Sequence, residues 1–459
     1  MVWRKIRWNA FVLWHARHER ALPYWPLERI ERVQRRRLQR MVRHAFREAP
    51  HYRETAQRLG LEPEQIRSAE DLKLLPMVSK AEYAAAPERF QSERLCRSGA
   101  LRIDSSGTSG RSKPVYHDPE SLFLAMAHGR RQAEPLRRFL GRTTRYRELI
   151  AARPGGVHTQ IRRFYEANLW MPRFLDLERA YLPVSGTSAE EQAAFINRFR
   201  PDMMWGYGTL IGGLFRRIAR RRLKVWRPKV IAYGGDAMPE ADRELIEGEF
   251  GIPVFSIYQA VEALHIGFQC ELRRGLHLFT DSVIVRIVDE EGRDLAPGET
   301  GDIVISNLTN RATVFLNYRL GDLGRLGAEP CPCGRTLPVL ESLEGRDDDM
   351  VALPSGAEVH ALVAIEELRA VPGVVQVQLR QEALSEFVIR AVPRPATERD
   401  RAAAELKAAL RRTLGTVDHV AVEWYEEIPP DAGGKTKAVV SRCLARAGSR
   451  ASENDQQAG

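Results

Sequence analysis

The chain has 459 residues, too many for one ordinary hydrophobic core, so two or more domains are expected. Hydrophobic residues make up 44% and charged residues 28%, as in water-soluble globular proteins; no apolar run reaches the length of a signal peptide or the about 20 residues of a membrane span, so a cytoplasmic protein is expected. The net charge of +10 (70 basic minus 60 acidic) is local, since residues 1–50 hold 13 Lys/Arg against 4 Asp/Glu, a net of +9, and the near balance elsewhere argues against a nucleic-acid-binding protein.

The basic N-terminal segment also carries Trp3, Trp8, Trp14 and Trp25. A membrane-surface helix has this composition; the simpler reading is a helical cap with a solvated basic face. Weak surface association of this segment stays open, as does a homodimer. Leu27–Glu48 reads as a basic amphipathic helix, with Ile30, Val33, Leu38, Met41, Val42 and Phe46 among arginines. From about 100 to 340, β-branched runs alternate with helical patterns, as at Lys229–Tyr233, Val254–Tyr258, Val283–Val288 and Gly301–Ser306. That alternation predicts an α/β body.

The last hundred residues have their own pattern. Met350–Ala352 reads as a short strand and Val359–Ala370 as a helix. Strands are expected at Val375–Leu379, Phe387–Val392 and Val420–Trp424, with a helix through Ala403, Leu406, Leu410 and Leu414. The order β-α-β-β-α-β is the split βαβ arrangement. The expected division is an N-terminal domain over 1–346, a small α+β domain over 347–445 and a disordered polar tail over 446–459. The boundary falls in the polar stretch Glu344–Asp349.

Asp104–Pro114 (Asp-Ser-Ser-Gly-Thr-Ser-Gly-Arg-Ser-Lys-Pro) is the most informative segment. Glycines and small hydroxyl residues let backbone N–H groups approach phosphate oxygens, the hydroxyls add donors and Lys113 adds charge. It lacks the Gly-Lys-Ser/Thr of a Walker loop, and a flexible linker has a similar composition.

The order Ser105-Ser106-Gly107-Thr108-Ser109-Gly110-x-Ser-Lys113-Pro resembles the phosphate loop of adenylate-forming enzymes, the superfamily of acyl-CoA ligases, adenylation domains and luciferases. Further resemblances follow in chain order. Tyr233-Gly234-Gly235-Asp236 is similar to the adenine segment, Tyr258-Gln259-Ala260-Val261-Glu262 to the Tyr-Gly-x-Thr/Ser-Glu motif and Tyr318–Asp322 to the ribose segment. Gly345-Arg346-Asp347-Asp348 is similar to the hinge motif and Gly434-Lys435-Thr436-Lys437 to the catalytic-lysine motif. Within the superfamily, Ala49-Pro50-His51-Tyr52-Arg53, Leu75-Pro76 with Ser79-Lys80, Cys270 with Gly275-Leu276-His277, and Cys331–Arg335 resemble the phenylacetate–CoA ligases.

The resemblance implies a large N-terminal α/β domain of the adenylate-forming type and a small mobile C-terminal α+β domain. It implies ATP-dependent activation of a carboxylic acid, an aromatic one by family, to acyl-AMP, then transfer to coenzyme A; a carrier-protein thiol or an amine or glycan is the alternative acceptor. The residues from Ser105 to Gly110 with Lys113 would hold phosphates, and Gly234, Gly235, Asp236, Tyr258, Asp322 and Arg346 would hold AMP. Glu262 would hold Mg²⁺, Lys435 would bridge the acyl carboxylate and the α-phosphate, and Asp348 would be the pivot. Several places depart from the pattern: Gln259 replaces the glycine after the tyrosine, Asp236 replaces the usual Glu, Asp347 occupies a variable position, and Pro354-Ser355-Gly356-Ala357-Glu358 stands where the family commonly has an Arg/Gly-containing loop near coenzyme A, which bears on the thiol acceptor but not on adenylation.

Cys270, His277, Cys331 and Cys333 form a separate set. Three thiolates and one imidazole make a closed tetrahedral Zn²⁺ site of structural type. Buried reduced cysteines are the competing reading, and His265 is a competing imidazole.

Overall fold

The computed structural model describes residues 2–105, 113–142, 145–152, 156–170, 178–183, 187–346, 350–354, 358–415, 417–429 and 436–443. Helix α1 (Val2–Ala16) lies against the body, and α2 (Leu27–Glu48) follows it. In α2 the buried residues Ile30, Gln34, Leu38, Met41, Val42 and Ala45 recur at helical spacing, while most arginines face water. Pro50 ends this helix: it holds Ala49 extended (φ −103°, ψ 114°) and itself opens α3 (Pro50–Leu59), which Gly60 terminates at φ 62°. Two short helices, α4 (Lys80–Ala85) and α5 (Glu93–Arg97), lead to the hairpin of β1 (Leu101–Ser105) and β2 (Lys113–His117). Helix α6 (Pro119–Leu140) starts where the Asp118 carboxylate accepts from the Ser121 amide at 3.1 Å.

The body alternates as the sequence predicts: β3 (Arg147–Ala151), α7 (Val157–Asn168), β4 (Glu178–Tyr181), α8 (Ala189–Phe199), β5 (Met203–Gly206), α9 (Gly208–Arg220), β6 (Val230–Gly234), α10 (Glu240–Glu249) and β7 (Val254–Tyr258). Then come six strands without helices: β8 (Gly267–Phe268), β9 (Leu276–Leu278), β10 (Val283–Val288), β11 (Thr300–Asn307), β12 (Tyr318–Leu326) and β13 (Val339–Arg346). All eleven strands from β3 to β13 form one sheet, ordered β10-β11-β12-β13-β9-β8-β7-β6-β5-β3-β4. Strands β3 to β7 pair in parallel and the rest antiparallel.

The parallel half is covered on both faces, which is why its strands read as continuous apolar runs. Leu149, Met204, Ile231 and Val254 pack with Ile196 of α8, Leu214 and Phe215 of α9 and Ile246 of α10. Their alternates Met203, Val230, Ala232 and Phe255 pack with Leu136 and Leu140 of α6. The antiparallel half shares its core with α2 and α3, through Leu38, Val42 and Tyr52 against Phe268, Phe279, Ile305 and Phe315.

The C-terminal segment has a separate core. It comprises β14 (Met350–Ala352), β15 (Glu358–His360), α11 (Leu362–Arg369), β16 (Val374–Ala383), β17 (Glu386–Pro393), α12 (Arg399–Leu414), β18 (His419–Trp424) and β19 (Val439–Ser441). Two expectations are corrected. The fourth strand of the sheet β18-β17-β16-β19 is Val439–Ser441, not Met350–Ala352, which pairs with β15 instead. Buried Gln381 fastens it from the side: its amide accepts from the Ala352 N–H at 3.0 Å and from the Ser441 hydroxyl at 2.7 Å, and donates to the Ala352 carbonyl. The helix expected from Val359 starts at Leu362, because Val359 and His360 belong to β15. Ion pairs Arg217–Glu427, Arg220–Glu426 and Arg394–Glu244 connect this segment to the body.

A buried charge network ties the N-terminal segment to the sheet. Arg131 of α6 is fully buried and pairs with Asp281 at 2.7 Å and Glu19 at 2.8 Å, and Arg37 of α2 reaches the same Asp281 at 2.8 Å. Burial would raise the Asp281 carboxyl, but Arg131 and Arg37 hold it far below the usual carboxylate range. Burial moves Glu19 the other way, upward. Asp281→Asn should cost about 3–5 kcal/mol, because it leaves the buried Arg131 with Glu19 alone and takes from Arg37 its carboxylate partner. By contrast, Arg43→Ala, which breaks an exposed pair with Glu64, should cost less than about 1 kcal/mol. A depressed carboxyl contributes stability that is present above the unfolded value of about 4 and lost as pH falls below it. Urea unfolding at pH 7 and pH 3 checks this: wild type should lose more stability between the two than Asp281→Asn.

Candidate functional site

The carboxyl ends of β5, β6 and β7 open onto one crevice, the usual ligand position in parallel α/β sheets. Its floor is made by glycines. A Cβ on Gly206 would lie 2.1 Å from the Ala151 carbonyl oxygen, one on Gly234 2.8 Å from the Ile257 carbonyl oxygen, and one on Gly208 2.7 Å from the Met238 nitrogen. Gly235 takes φ +85°, and a Cβ there would meet the Tyr207 ring at 2.9 Å. Backbone therefore approaches backbone where any side chain would block it.

Asp236 follows these glycines. Its Oδ1 accepts from the Gly208 amide at 2.5 Å and its Oδ2 from the Thr209 hydroxyl. Gly208 and Thr209 begin α9, so this carboxylate fixes a helix N-terminus and favours its positive end. Tyr207, Gly208 and Thr209 were missed by sequence reasoning; the run Trp205-Gly206-Tyr207-Gly208-Thr209 after a strand was the available signal.

Tyr258 ends β7 and donates its hydroxyl to Asp322 Oδ2 at 2.6 Å, joining the parallel half of the sheet to β12. Asp322 stands directly across from Arg346 in the β12–β13 register. Glu262 lies in the turn after β7, where Leu264 takes φ 62° and the Glu262 carbonyl accepts from Asn307 Nδ2 at 2.8 Å. On its other side Tyr83 is raised above the ordinary phenol range, by burial first and by the Glu262 charge second. Tyr83 donates to the Pro114 carbonyl at 2.5 Å, so it stands between Glu262 and the β1–β2 hairpin. His117 of β2, neutral because burial lowers it to about 4, donates to the Val261 carbonyl at 2.8 Å.

Ser105 and Lys113 face each other at the open end of that hairpin. Lys113 is buried and its Nζ donates to the Lys80 carbonyl at 3.2 Å. Ser106, Gly107, Thr108, Ser109 and Gly110 lie outside the described residues, as do Asp348 and Lys435. The structure thus places Gly234, Gly235 and Asp236 at the carboxyl end of β6 and Tyr258 at that of β7, with Glu262 just beyond it and Asp322, opposite the backbone of Arg346, bonded to Tyr258.

Gln259 is held by His265. Burial lowers His265 to about 4, so it is neutral; its Nε2–H donates to the Ala125 carbonyl at 3.1 Å and its Nδ1 accepts from the Gln259 amide at 3.2 Å. Both nitrogens are occupied, which removes His265 as a metal-ligand rival.

Some distance along the sheet, Cys270, His277, Cys331 and Cys333 converge, with all four ligand atoms within 4.8 Å of one another. Cys270 Sγ and Cys331 Sγ are 3.8 Å apart, and Cys333 Sγ lies 3.3 Å from His277 Nε2. Tetrahedral zinc with Zn–S of about 2.3 Å gives sulfur–sulfur edges of about 3.8 Å. His277 Nδ1 faces the Leu337 carbonyl at 3.3 Å, which leaves Nε2 toward the sulfurs. Burial lowers His277 to about 4 and pushes Cys270 up to about 12. Beside them Arg335 is paired bidentately with Glu271 at 2.6 and 2.9 Å. The same loop receives the N-terminal segment, the Thr336 N–H donating to the Pro23 carbonyl at 2.8 Å.

No protein-family profile matches the chain. It is 28% identical over 376 residues to the phenylacetate–coenzyme A ligase of Thermus thermophilus, covering 78% of this chain and 80% of that one. It is 26% identical over 341 residues to the phenylacetate–coenzyme A ligase of Escherichia coli, covering 71% and 73%. Among solved structures, 2-hydroxyisobutyryl-CoA ligase in its postadenylation state superposes with a TM-score of 0.72 over 94% of both chains at 18% identity. The fold is therefore that of the adenylate-forming CoA ligases.

The crevice floor gives a test of its own. Gly235→Ala adds a Cβ at a positive φ and against the Tyr207 ring. It should lower stability by about 1–3 kcal/mol, read by urea unfolding. Gly248→Ala, in α10 with open space around it, should be neutral or slightly stabilising.

Proposed function

We propose that this relative of the phenylacetate–coenzyme A ligases activates a carboxylic acid with ATP and passes the acyl group to coenzyme A. The observation that carries this reading is the placement of Gly234–Asp236, Tyr258 and Glu262 at the carboxyl ends of the neighbouring strands β6 and β7, with Asp322 bonded to Tyr258, in the chain order of the adenylate-forming motifs. In the first step a carboxylate oxygen attacks the α-phosphorus of ATP, a P–O bond forms, and the bond to pyrophosphate breaks. In the second the coenzyme A thiolate attacks the acyl carbonyl and AMP leaves.

Both reactants of the first step are anionic, so the site must supply positive charge and donors. The residues from Ser105 to Gly110 with Lys113 bind the leaving phosphates. Glu262 would hold Mg²⁺, which would neutralise charge at the phosphate oxygens. Gly234 and Gly235 give the adenine a flat backbone surface. Asp236 braces that surface by holding the start of α9, and Tyr207 closes it. Asp322, oriented by Tyr258, binds the ribose hydroxyls, with Arg346 opposite. Gln259, fixed by His265, narrows the acyl end relative to a glycine. The acid is aromatic on the strength of the relatives' substrate.

Residues 347–445 act as a mobile domain. Their separate core and the charged character of the ion pairs to the body support this. Asp348 is the pivot, and rotation about it brings Lys435 in for adenylation and withdraws it for thioester formation. Zn²⁺ fits Cys270, His277, Cys331 and Cys333 and is structural, since four protein ligands leave no open position.

Acid-dependent exchange of pyrophosphate into ATP, screened over aryl and aliphatic acids, tests the reading. ATP binding without exchange for any acid would overturn it. Lys435→Ala should slow adenylation by about 10²–10³-fold while acyl transfer from supplied acyl-AMP continues. Zinc content is a separate measure. Protein purified without added metal should hold one zinc per chain, and Cys331→Ser should lower both zinc content and melting temperature.

A further inference from the structure

Helix α1 is apolar on two opposite sides. One side faces the body: Trp8, Phe11 and Val12 pack with Phe123 of α6 and Phe164 and Tyr165 of α7. The other carries Trp3 (83% exposed), Ile6, Leu13 and Trp14 (64% exposed). At about 100° per residue these four fall within one arc of roughly 100°, directly opposite Trp8 and Val12. A helix on a soluble body needs one apolar face; the second has no explanation in the packing of the described residues.

The charge around this face has one sign. Arg7 and Arg17 border it, Arg4 lies further round the helix, and no acidic residue occurs before Glu19. Glu19 is itself buried against Arg131, and Glu134 is paired with Arg20. Glu120, at the start of α6, acts toward His15 on the body side of the helix. The Arg17 guanidinium lies 3.1 Å over the Trp14 ring. At the N-terminal end of the helix, Trp3, Arg4, Arg7, Trp8, Ser98 and Gly99 line a cleft of about 650 Å³. Two guanidinium groups between two indoles suit a phosphate joined to an apolar group.

We propose that α1 is a membrane-interface helix that lays the enzyme on an anionic phospholipid surface. Trp3, Ile6, Leu13 and Trp14 enter the headgroup–acyl boundary, where indoles are favoured. Arg7 and Arg17 sit at the phosphate level, and the cleft, with Arg4 and Arg7 in its wall, receives a headgroup phosphate. A second copy of the chain fits poorly, because a two-fold pairing of this face would oppose two identical cationic rims. The helix lies on the surface without crossing it: no described helix is long and apolar enough to span a membrane. The inference does not depend on the chemistry of the crevice.

The test uses the full chain and vesicles of phosphatidylglycerol and phosphatidylcholine, against vesicles of phosphatidylcholine alone. Wild type should co-sediment with the anionic vesicles at least tenfold more strongly, and salt should weaken this. Trp3→Ser/Trp14→Ser and Arg4→Glu/Arg7→Glu should each reduce binding at least tenfold, while pyrophosphate exchange without vesicles stays within about twofold. Because those side chains are exposed, both variants should fold. A readout on the unaltered protein is quenching of tryptophan fluorescence by brominated anionic lipid. Equal binding to neutral vesicles, binding unchanged in both variants, or no quenching would overturn the proposal. So would a dimer that dissociates in the tryptophan variant, since the face would then be an interface between copies.

Discussion

The Asp281 carboxylate is the point on which the N-terminal third of the molecule is hung. Removing a carboxylate and two guanidinium groups from water is expensive, and the geometry is acceptable only because each charge is met. Arg131 brings α6, Arg37 brings α2, and Glu19 brings the segment after α1. The Arg37 guanidinium also donates to the Asp281 carbonyl at 2.9 Å. Hydrophobic contact alone would let α2 slide along the antiparallel half of the sheet. Charges that tolerate no shift fix its register. The orientation of α6 follows, and with it the placement of β2, which precedes that helix by a single residue.

The crevice depends on a different constraint. Strands β5 and β6 stop at Gly206 and Gly234, where a side chain would meet the neighbouring backbone. Tyr258 and Asp322 add a side-chain hydrogen bond between the two halves of the sheet, which are also joined by β7–β8 pairing and by the core that Tyr258 shares with Phe268. Neutral histidines do quiet work around it. His117 and His265 each donate to a backbone carbonyl, and burial keeps them uncharged near neutral pH. Protonating either would put a charge in an apolar setting, so the crevice should stay rigid until well below pH 5.

Much of this was legible in the residues. β6, β7, β10 and β11 lie where the β-branched runs predict them, and α2 spans Leu27–Glu48 as its periodicity requires. The Cys/His cluster followed from ligand chemistry, and distances consistent with one ion support it. What was not legible was mostly long-range. Asp236 looked like one more residue of an adenine segment, and only the fold reveals that both its oxygens are taken by α9. Val439–Ser441 is three residues long, too short to carry a period, and becomes a strand because β16 offers it an open edge. Gln381 reads as a polar residue on an alternating strand, yet it is fully buried because it replaces main-chain pairing between Met350–Ala352 and the sheet.

The placement of α2 has a consequence for how the chain is made. Its apolar stripe is covered by residues such as Phe268, Phe279 and Phe315. Its polar anchors Gln34 and Arg37 bond to residues 246 and 244 positions later. A ribosome adding about 5–20 residues per second needs roughly 12–50 s to supply those partners. During that time the apolar face of this 22-residue helix is covered only in part, by nearby residues such as Tyr52, Ile66 and Leu72. The parallel strands β3 to β7 are all synthesised within this interval, so they can begin to pair before the N-terminus is captured. The sheet, once paired, supplies the surface on which these first helices complete their packing.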